Sequence, residues 1–305
     1  MAQRMSGWNW FLLICILTAW ASAKIITREL VSKGIAEPMT LMSIRYGISS
    51  MVTAGFAKIF FKKEQLKWDS RYLFGGLFVA AQAILLGIAL KTAPVSLAGV
   101  CFFGCSSLVS SVYGLVTNRQ EVKIHLFALL ISLCGLLLIS DPTNHATWNA
   151  GIFLAILGGV FWGGYLLWCK HQIPEGWIAN IIASSRTMGI GAIICFIFSF
   201  IYEPNAYHNM NSLSWGAAVY MGIVPQAIGF VLFGWLAPKL NHTQLGVSQL
   251  GTPLLVAFGG ILLLGEDWTF TLGAGMIFIL SGIALASKKP KPQPARKEVK
   301  DDAYL

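Results

Sequence analysis

Charge is scarce in this sequence. Only 11% of its 305 residues are Asp, Glu, Lys or Arg, while 56% are hydrophobic; soluble domains carry roughly 25% charged residues. A water-soluble fold of this length could not hide so much apolar surface, so a soluble domain is excluded. Acids are the scarcest charge. All 13 Asp and Glu lie in loops, in the C-terminal tail or at the edges of apolar runs. The five histidines (His125, His145, His171, His208, His242) are placed the same way. Proton-driven carriers usually use an acid or His inside the membrane, and none is available here. No nucleophile–base pair, His-rich metal cluster or Gly-rich phosphate loop occurs, so no enzyme, no metal and no cofactor is expected. The cysteines, Cys15, Cys101, Cys105, Cys134, Cys169 and Cys195, show no disulfide spacing. Alternating hydrophobicity is also absent, which excludes a β-barrel.

What remains is long apolar runs. A helix needs about 20 such residues to cross ~30 Å of hydrocarbon. Ten runs qualify: 8–27, 38–60, 71–91, 95–116, 124–140, 149–169, 178–201, 214–236, 243–264 and 270–287. The net charge of +9 would suit nucleic acid, but its distribution argues for a membrane instead. With the N-terminus in the cytoplasm, sixteen of the 22 Lys and Arg fall on the cytoplasmic side, three fall outside, and Lys24, Arg45 and Arg186 fall within spans. That asymmetry predicts a bacterial inner (plasma) membrane protein with both termini cytoplasmic. Arg4, the apolar run after it and Ala21-Ser22-Ala23 imitate a cleaved secretory signal; the even span count favours a retained helix.

The chain also repeats itself. Gln82-Ala83-Ile84 returns as Gln226-Ala227-Ile228, Ala93-Pro94 as Ala237-Pro238, and Gly99-Val100 with Gly104 as Gly246-Val247 with Gly251. Trp20 matches Trp162, and Arg45 matches Arg186. The offsets stay between 141 and 147 residues. The expected organisation is a first five-helix repeat over 1–140, a second over 149–287 and a disordered basic cytoplasmic tail over 288–305. Five is odd, so the second half enters the membrane from the opposite side. The fold class is therefore an all-α membrane protein of ten transmembrane helices in two inverted repeats, an arrangement characteristic of secondary transporters.

These residues carry a resemblance. The sequence resembles the drug/metabolite transporter superfamily, and its EamA-type branch in particular. That family often has a Trp on the first helix of each repeat, as at Trp20 and Trp162, with a Lys following, as at Lys24. Its second helix often has an Arg, as at Arg45 and Arg186, and its fourth a Pro leading to Gly-Glu, as at Pro253 and Gly265-Glu266. Ser106, Arg119 and Leu166 depart from the pattern. The resemblance implies metabolite transport and leaves the cargo open.

Several residues could bind that cargo. An intramembrane charge costs at least ~2.5–3.5 kcal/mol at a helix centre on insertion scales, so Lys24, Arg45 and Arg186 are functional candidates. Arg45 lies about seven rises of 1.5 Å, or ~11 Å, beyond Pro38, and Arg186 lies at a mirror depth in its own helix. A guanidinium suits a carboxylate or phosphate; backbone carbonyls could satisfy it instead, and Lys24 could snorkel to headgroups. Gln82, Gln226 and Gln249 could bond cargo or bridge helices. Trp20, Trp162, Tyr165 and Trp168 could line a cavity or face lipid, with Tyr113 and Tyr220 as weaker candidates of the same type. Gly158-Gly159, Gly163-Gly164, Pro225 and Pro253 read as close-packing and hinge positions. The basic tail has some attraction for anionic lipid.

The sequence thus reads as an alternating-access carrier whose cavity is lined by the first, third, fourth, sixth, eighth and ninth helices. Its partners are a small-molecule substrate and membrane lipids, with no nucleic acid; a homodimer is left open. Amino acids or related compounds with an anionic group fit best, moved by exchange or facilitated diffusion. An amphiphile or lipid-linked-sugar translocator is the alternative, and a non-transporting scaffold the remaining one. A reporter fused after Leu305 is expected to read cytoplasmic, with the mature chain starting at or near Met1. N-terminal sequencing that begins at Lys24 or Ile25 would remove the first helix and the charge parity with it.

Overall fold

The computed structural model describes residues 7–60, 69–92, 95–117, 122–140, 150–173, 176–264 and 270–286. Arg119, Gly265-Glu266, Ala93-Pro94 and the tail from Lys288 lie outside the described residues. The chain is built from α-helices, without a strand among the described residues. Seven run unbroken: α1 (Gly7–Ser32), α2 (Pro38–Phe60), α3 (Arg71–Thr92), α4 (Val95–Thr117), α5 (Val122–Ser140), α6 (Ala150–Gln172) and α7 (Trp177–Tyr202). The last, α10, is Phe270–Ala286.

Between them, after a single helical turn at Ala206–Asn209, come two longer helices that are interrupted, each near a proline. In α8, the α-helix Ser212–Met221 passes into a π-helical stretch, Gly222–Ile228, then into α-helix Gly229–Leu236 and a 3₁₀ turn at Ala237–Lys239. Pro225 sits inside the π stretch; it has no N–H to give to the preceding turn. In α9, His242–Ser248 and Gly251–Leu264 are separated at Gln249-Leu250. Pro253 cannot donate to the Gln249 carbonyl, which takes the Thr252 amide at 3.1 Å instead. The start of α9 is fixed by a capping box: Asn241 Oδ1 accepts from the Gln244 amide at 2.6 Å, and Gln244 Oε1 from the Asn241 amide at 3.0 Å. Between α1 and α2 the chain turns on Gly34, whose φ of 64° is open to glycine with little cost.

Five helical segments are long and apolar enough to cross a membrane: Gly7–Val31, Arg71–Lys91, Ala150–Gln172, Trp177–Tyr202 and Ser212–Lys239. Shorter apolar helices cover Cys101–Gly114, Leu126–Leu138 and Gly273–Leu285. The ten expected spans each meet a helix, yet length and hydropathy alone support only part of that count. One reason is α2, whose inward residues include Thr40, Ser43, Arg45, Ser49 and Thr53, all buried. Large apolar side chains such as Met51, Phe56, Phe196 and Phe200 point outward and are exposed, as a lipid-facing surface requires.

The packing follows the repeat. α2 lies along α7 and α5 along α10, each helix against its own counterpart. α3 packs on α6 as α8 packs on α1, and α4 packs on α6 as α9 packs on α1. Exchanging the halves leaves this set of pairings unchanged. Without a hydrophobic drive between helices in lipid, such contacts depend on close backbone approach, and glycines supply it. A Cβ on Gly159 of α6 would strike the Phe102 carbonyl of α4. One on Gly135 of α5 would come within 2.6 Å of the Gly275 carbonyl of α10. We expect Gly159→Ala to lower the melting temperature by several degrees in detergent. Gly47→Ala, in α2 with nothing within 4 Å of the new Cβ, should be neutral or stabilising by up to ~1 kcal/mol through helix propensity. Equal melting curves would remove the close approach as a stabilising element.

Candidate functional site

At the middle of the bundle lies a narrow cavity. Its volume is about 40 Å³, room for a few water molecules. Its polar wall is Lys24 from α1, Arg45 and Tyr46 from α2, Gln82 from α3 and Thr252 from α9. Its apolar wall is Trp20 from α1, Phe102 and Phe103 from α4, Trp162 from α6 and Phe230 from α8. All six helices expected to line a cavity do so, and α2 joins them.

The aromatic wall is a packed unit. The Trp20 ring meets Trp162 edge-on at 5.7 Å and Phe230 at 5.3 Å. Edge-to-face arrangements at this separation are the favoured geometry for aromatic pairs. Behind them Tyr165 is stacked between Trp162 at 5.5 Å and Trp168 at 5.8 Å. Tyr165 therefore buttresses the wall and does not face the cavity. The Trp20 indole donates to the Pro225 carbonyl at 2.9 Å, tying α1 to the π-helical stretch of α8. Trp162 points its indole N–H at Gln249 Oε1, 3.4 Å away. Gln249 thus stands in the second rank, at the break in α9, with its Nε2 lacking a partner among the described residues.

The two repeat-related glutamines both reach α2. Gln82 Nε2 donates to the Tyr46 hydroxyl at 2.8 Å, and Gln226 Oε1 accepts from Arg45 Nη2 at 2.9 Å. Gln226 turns its own amide nitrogen toward the Met188 sulfur at 3.3 Å. The two residues thus hold neighbouring side chains of one helix. Arg45 is only 6% exposed, yet its Nε and Nη1 have no acceptor among the described residues. Its guanidinium also lies 5.5 Å from the Tyr46 ring centroid. Lys24 is half-buried and faces the same space, with its ammonium 6.0 Å from the centre of the Phe102 ring. Two cations therefore face the cavity, and no acid lines it.

Arg186 does not join them. It is half-buried on α7 and does not line the cavity. The repeat pairs Arg45 with Arg186 as equivalent elements, while the structure puts only Arg45 on the cavity wall. Tyr46, Phe102, Phe103, Phe230 and Thr252 escaped the sequence reading. Nothing separates those aromatic residues from ordinary core in an apolar sequence, although Tyr46 beside Arg45 and Thr252 beside Pro253 were available signals.

Two polar closures flank this centre at opposite ends of the bundle. At one, the Glu203 carboxylate is fully inaccessible and joins three helices. It accepts from the Thr40 amide at 2.8 Å, the Thr40 hydroxyl at 2.9 Å and the Met39 amide at 3.3 Å, and pairs with Lys91 Nζ at 3.0 Å. It thus caps the N-terminus of α2 from the end of α7, where the helix dipole favours an anion. At the other end, Lys170 of α6 donates to the carbonyls of Ala237, Pro238 and Leu240, satisfying the frayed end of α8. Tyr113, His171 and His242 pack ring to ring beside it, with centroids 5.0–5.5 Å apart. Among the described residues no cluster of His, Cys, Asp or Glu could hold a metal ion.

A bundle of apolar helices around a charged cavity is the design of a carrier, and comparison with known proteins agrees. Residues 149–288 match the EamA-like transporter family. That match takes in the second half of the chain. An uncharacterized transporter of Archaeoglobus fulgidus is 26% identical over 198 residues, covering 65% of this chain and 69% of that protein. The uncharacterized transporter YwfM of Bacillus subtilis is 20% identical over 293 residues, covering 93% of this chain and 96% of its own. A crystal structure described only as that of a protein superposes with a TM-score of 0.76 at 18% identity, over 93% of this chain and 97% of the other. That likeness concerns the fold alone. The EamA-like chain is thus a multi-pass membrane transporter.

The closures yield a prediction. Glu203→Gln leaves one of the donors from Met39, Thr40 or Lys91 facing an amide N–H. Charged hydrogen bonds contribute roughly 1.5–3 kcal/mol each, so the variant should melt several degrees below the parent. Lys91→Met should cost less, because Lys91 is about one-third exposed (35%). A Glu203→Gln variant that melts with the parent would show that the three-helix junction is held by packing alone.

Proposed function

We propose that this EamA-like chain carries a small metabolite with an anionic group by alternating access, through exchange, in a bacterial inner membrane with both termini cytoplasmic. The proposed moving parts are the two five-helix halves, 1–140 and 149–287, rocking about the central cavity. Amino acids are one class of compound that meets the requirement for an anionic group. The observation that carries this reading is the cavity with Arg45 and Lys24 on its wall and no acid facing it. Arg45 offers donors that no described side chain accepts, which is what a site awaiting an anion would present.

The same charges argue for exchange. Enclosing uncompensated cations away from water costs several kcal/mol per ion. An empty carrier would bear that cost each time its cavity closed, and a carrier holding an anion would not. Return with a second anion is therefore the low-barrier route.

Counterflow in proteoliposomes tests the reading. Vesicles preloaded with a mixture of 2-amino and 2-oxo acids should take up the labelled mixture faster than empty ones, with no imposed proton gradient. Arg45→Gln should lower the initial rate about ten- to hundred-fold, the equivalent of a lost charge-assisted contact, while keeping its melting temperature within a few degrees. Arg45→Lys should recover little if the planar fork is used. Arg186→Gln should transport at near-normal rates. Uptake that depends strictly on an imposed pH gradient, or a stable Arg45→Gln protein with normal rates, would overturn the proposal.

A further inference from the structure

We infer that the cargo is a small organic anion with a flat, apolar body and no ammonium group, its carboxylate held between Arg45 and Lys24. The inference rests on the transport reading above and narrows it from compounds with an anionic group to compounds of net negative charge.

Three features of the cavity carry it. The first is the balance of charge. Arg45 and Lys24 face the space together, and the described acids stand elsewhere. Glu29 and Glu37 lie at helix ends and are tied to Lys33 and Lys91. Asp69 is held by Arg71, and the carboxylate of Glu203 is saturated by Thr40, Met39 and Lys91. Among the described residues, no carboxylate lines the cavity to meet an ammonium there. In a 2-amino acid that ammonium is two bonds from the carboxylate carbon, so a pose that seats the carboxylate on Arg45 brings the ammonium against the cations. Like charges at short range in a water-poor site repel strongly.

The second is the shape of the apolar wall. Trp20, Trp162 and Phe230 close one side as interlocked rings, and Phe102 and Phe103, themselves 5.2 Å apart and edge-on, close another. The room between them is narrow. A cargo therefore enters only as these walls part, and a planar ring or conjugated chain, with its edge or face on the rings, asks for the least parting. Ring faces also attract cations, but a single cation–π contact contributes less than two full positive charges remove.

The third is the set of uncommitted donors. Among the described residues, Arg45 Nε and Nη1 have no acceptor and the buried Thr252 hydroxyl on the cavity wall has no partner. Tyr46 and Gln82 are already bonded to each other. Donors in surplus over acceptors suit a ligand rich in oxygen, such as a 2-oxo acid whose carbonyl accepts where an amino group would have to donate.

The test is a matched series on one ring: phenylpyruvate, phenylalanine and phenethylamine, titrated calorimetrically into the purified full-length protein. Phenylpyruvate should bind at least ten-fold more tightly than phenylalanine, and phenethylamine should not bind at the same concentrations. Arg45→Gln should weaken phenylpyruvate ten-fold or more, and Thr252→Val two- to five-fold, both with melting temperatures near the parent's. Phenylalanine binding as tightly as phenylpyruvate, with both lost in Arg45→Gln, would overturn the net-anion inference and leave the transport site standing. Binding that ignores Arg45, or no binding by any of the three, would overturn the inference and the assignment of this cavity together.

Discussion

The hydrogen bond from Arg45 to Gln226 sets the terms for the rest of the molecule. A guanidinium in the middle of an apolar bundle is tolerated only if something fixes it, and here a single amide oxygen does so at 2.9 Å. That oxygen belongs to the π-helical stretch of α8. π turns recur at functional sites because they re-aim a side chain within an otherwise regular helix. α2 and α8 are therefore joined at the cavity by a polar contact in a surface otherwise made of rings and methyl groups. The remaining guanidinium donors are left facing the space that the aromatic residues enclose.

The two halves pack alike and bond differently. α2 and α7 occupy equivalent places, yet α2 sets Arg45 and Tyr46 on the cavity wall, while Arg186 of α7 does not reach it. Both repeat-related glutamines serve α2. The closures differ as well: one end of the bundle is drawn together by a buried carboxylate, the other by a lysine on the last carbonyls of a helix. A near-symmetric packing of helices thus carries an asymmetric chemistry, because packing involves every helix pair and the cavity only the few side chains that reach it.

Much of the architecture was legible in the sequence because lipid makes simple demands. Runs of about 20 apolar residues, positive residues on one side and a repeated Gln-Ala-Ile give helices, orientation and pairing with little interference from tertiary detail. Trp20, Lys24, Arg45, Gln82 and Trp162 were all picked out as polar or aromatic residues inside such runs, and all five face the cavity. The ranking within the site was not legible. Tyr165 and Gln249 satisfy the same sequence criteria as Trp162 and Gln82 but stand one layer back, because a helical face 100° wide does not say which of its side chains reaches the axis. Glu203 was read as a span-edge acid, and only the fold reveals that it is sealed beneath Thr40 and Lys91. The repeat also misled at Arg186, since correspondence in sequence fixes a position in the backbone and not the direction of a long side chain.

The bond between the Trp20 indole and the Pro225 carbonyl ties the first helix to the place where α8 is least regular. A helix with an irregular stretch bends there more readily than elsewhere, so α8 acts as two rods with a soft joint, and Trp20 is fastened to the joint itself. Bending of α8 at that joint would carry with it the ring that forms one side of the cavity, so the joint's angle and the cavity's width are mechanically coupled.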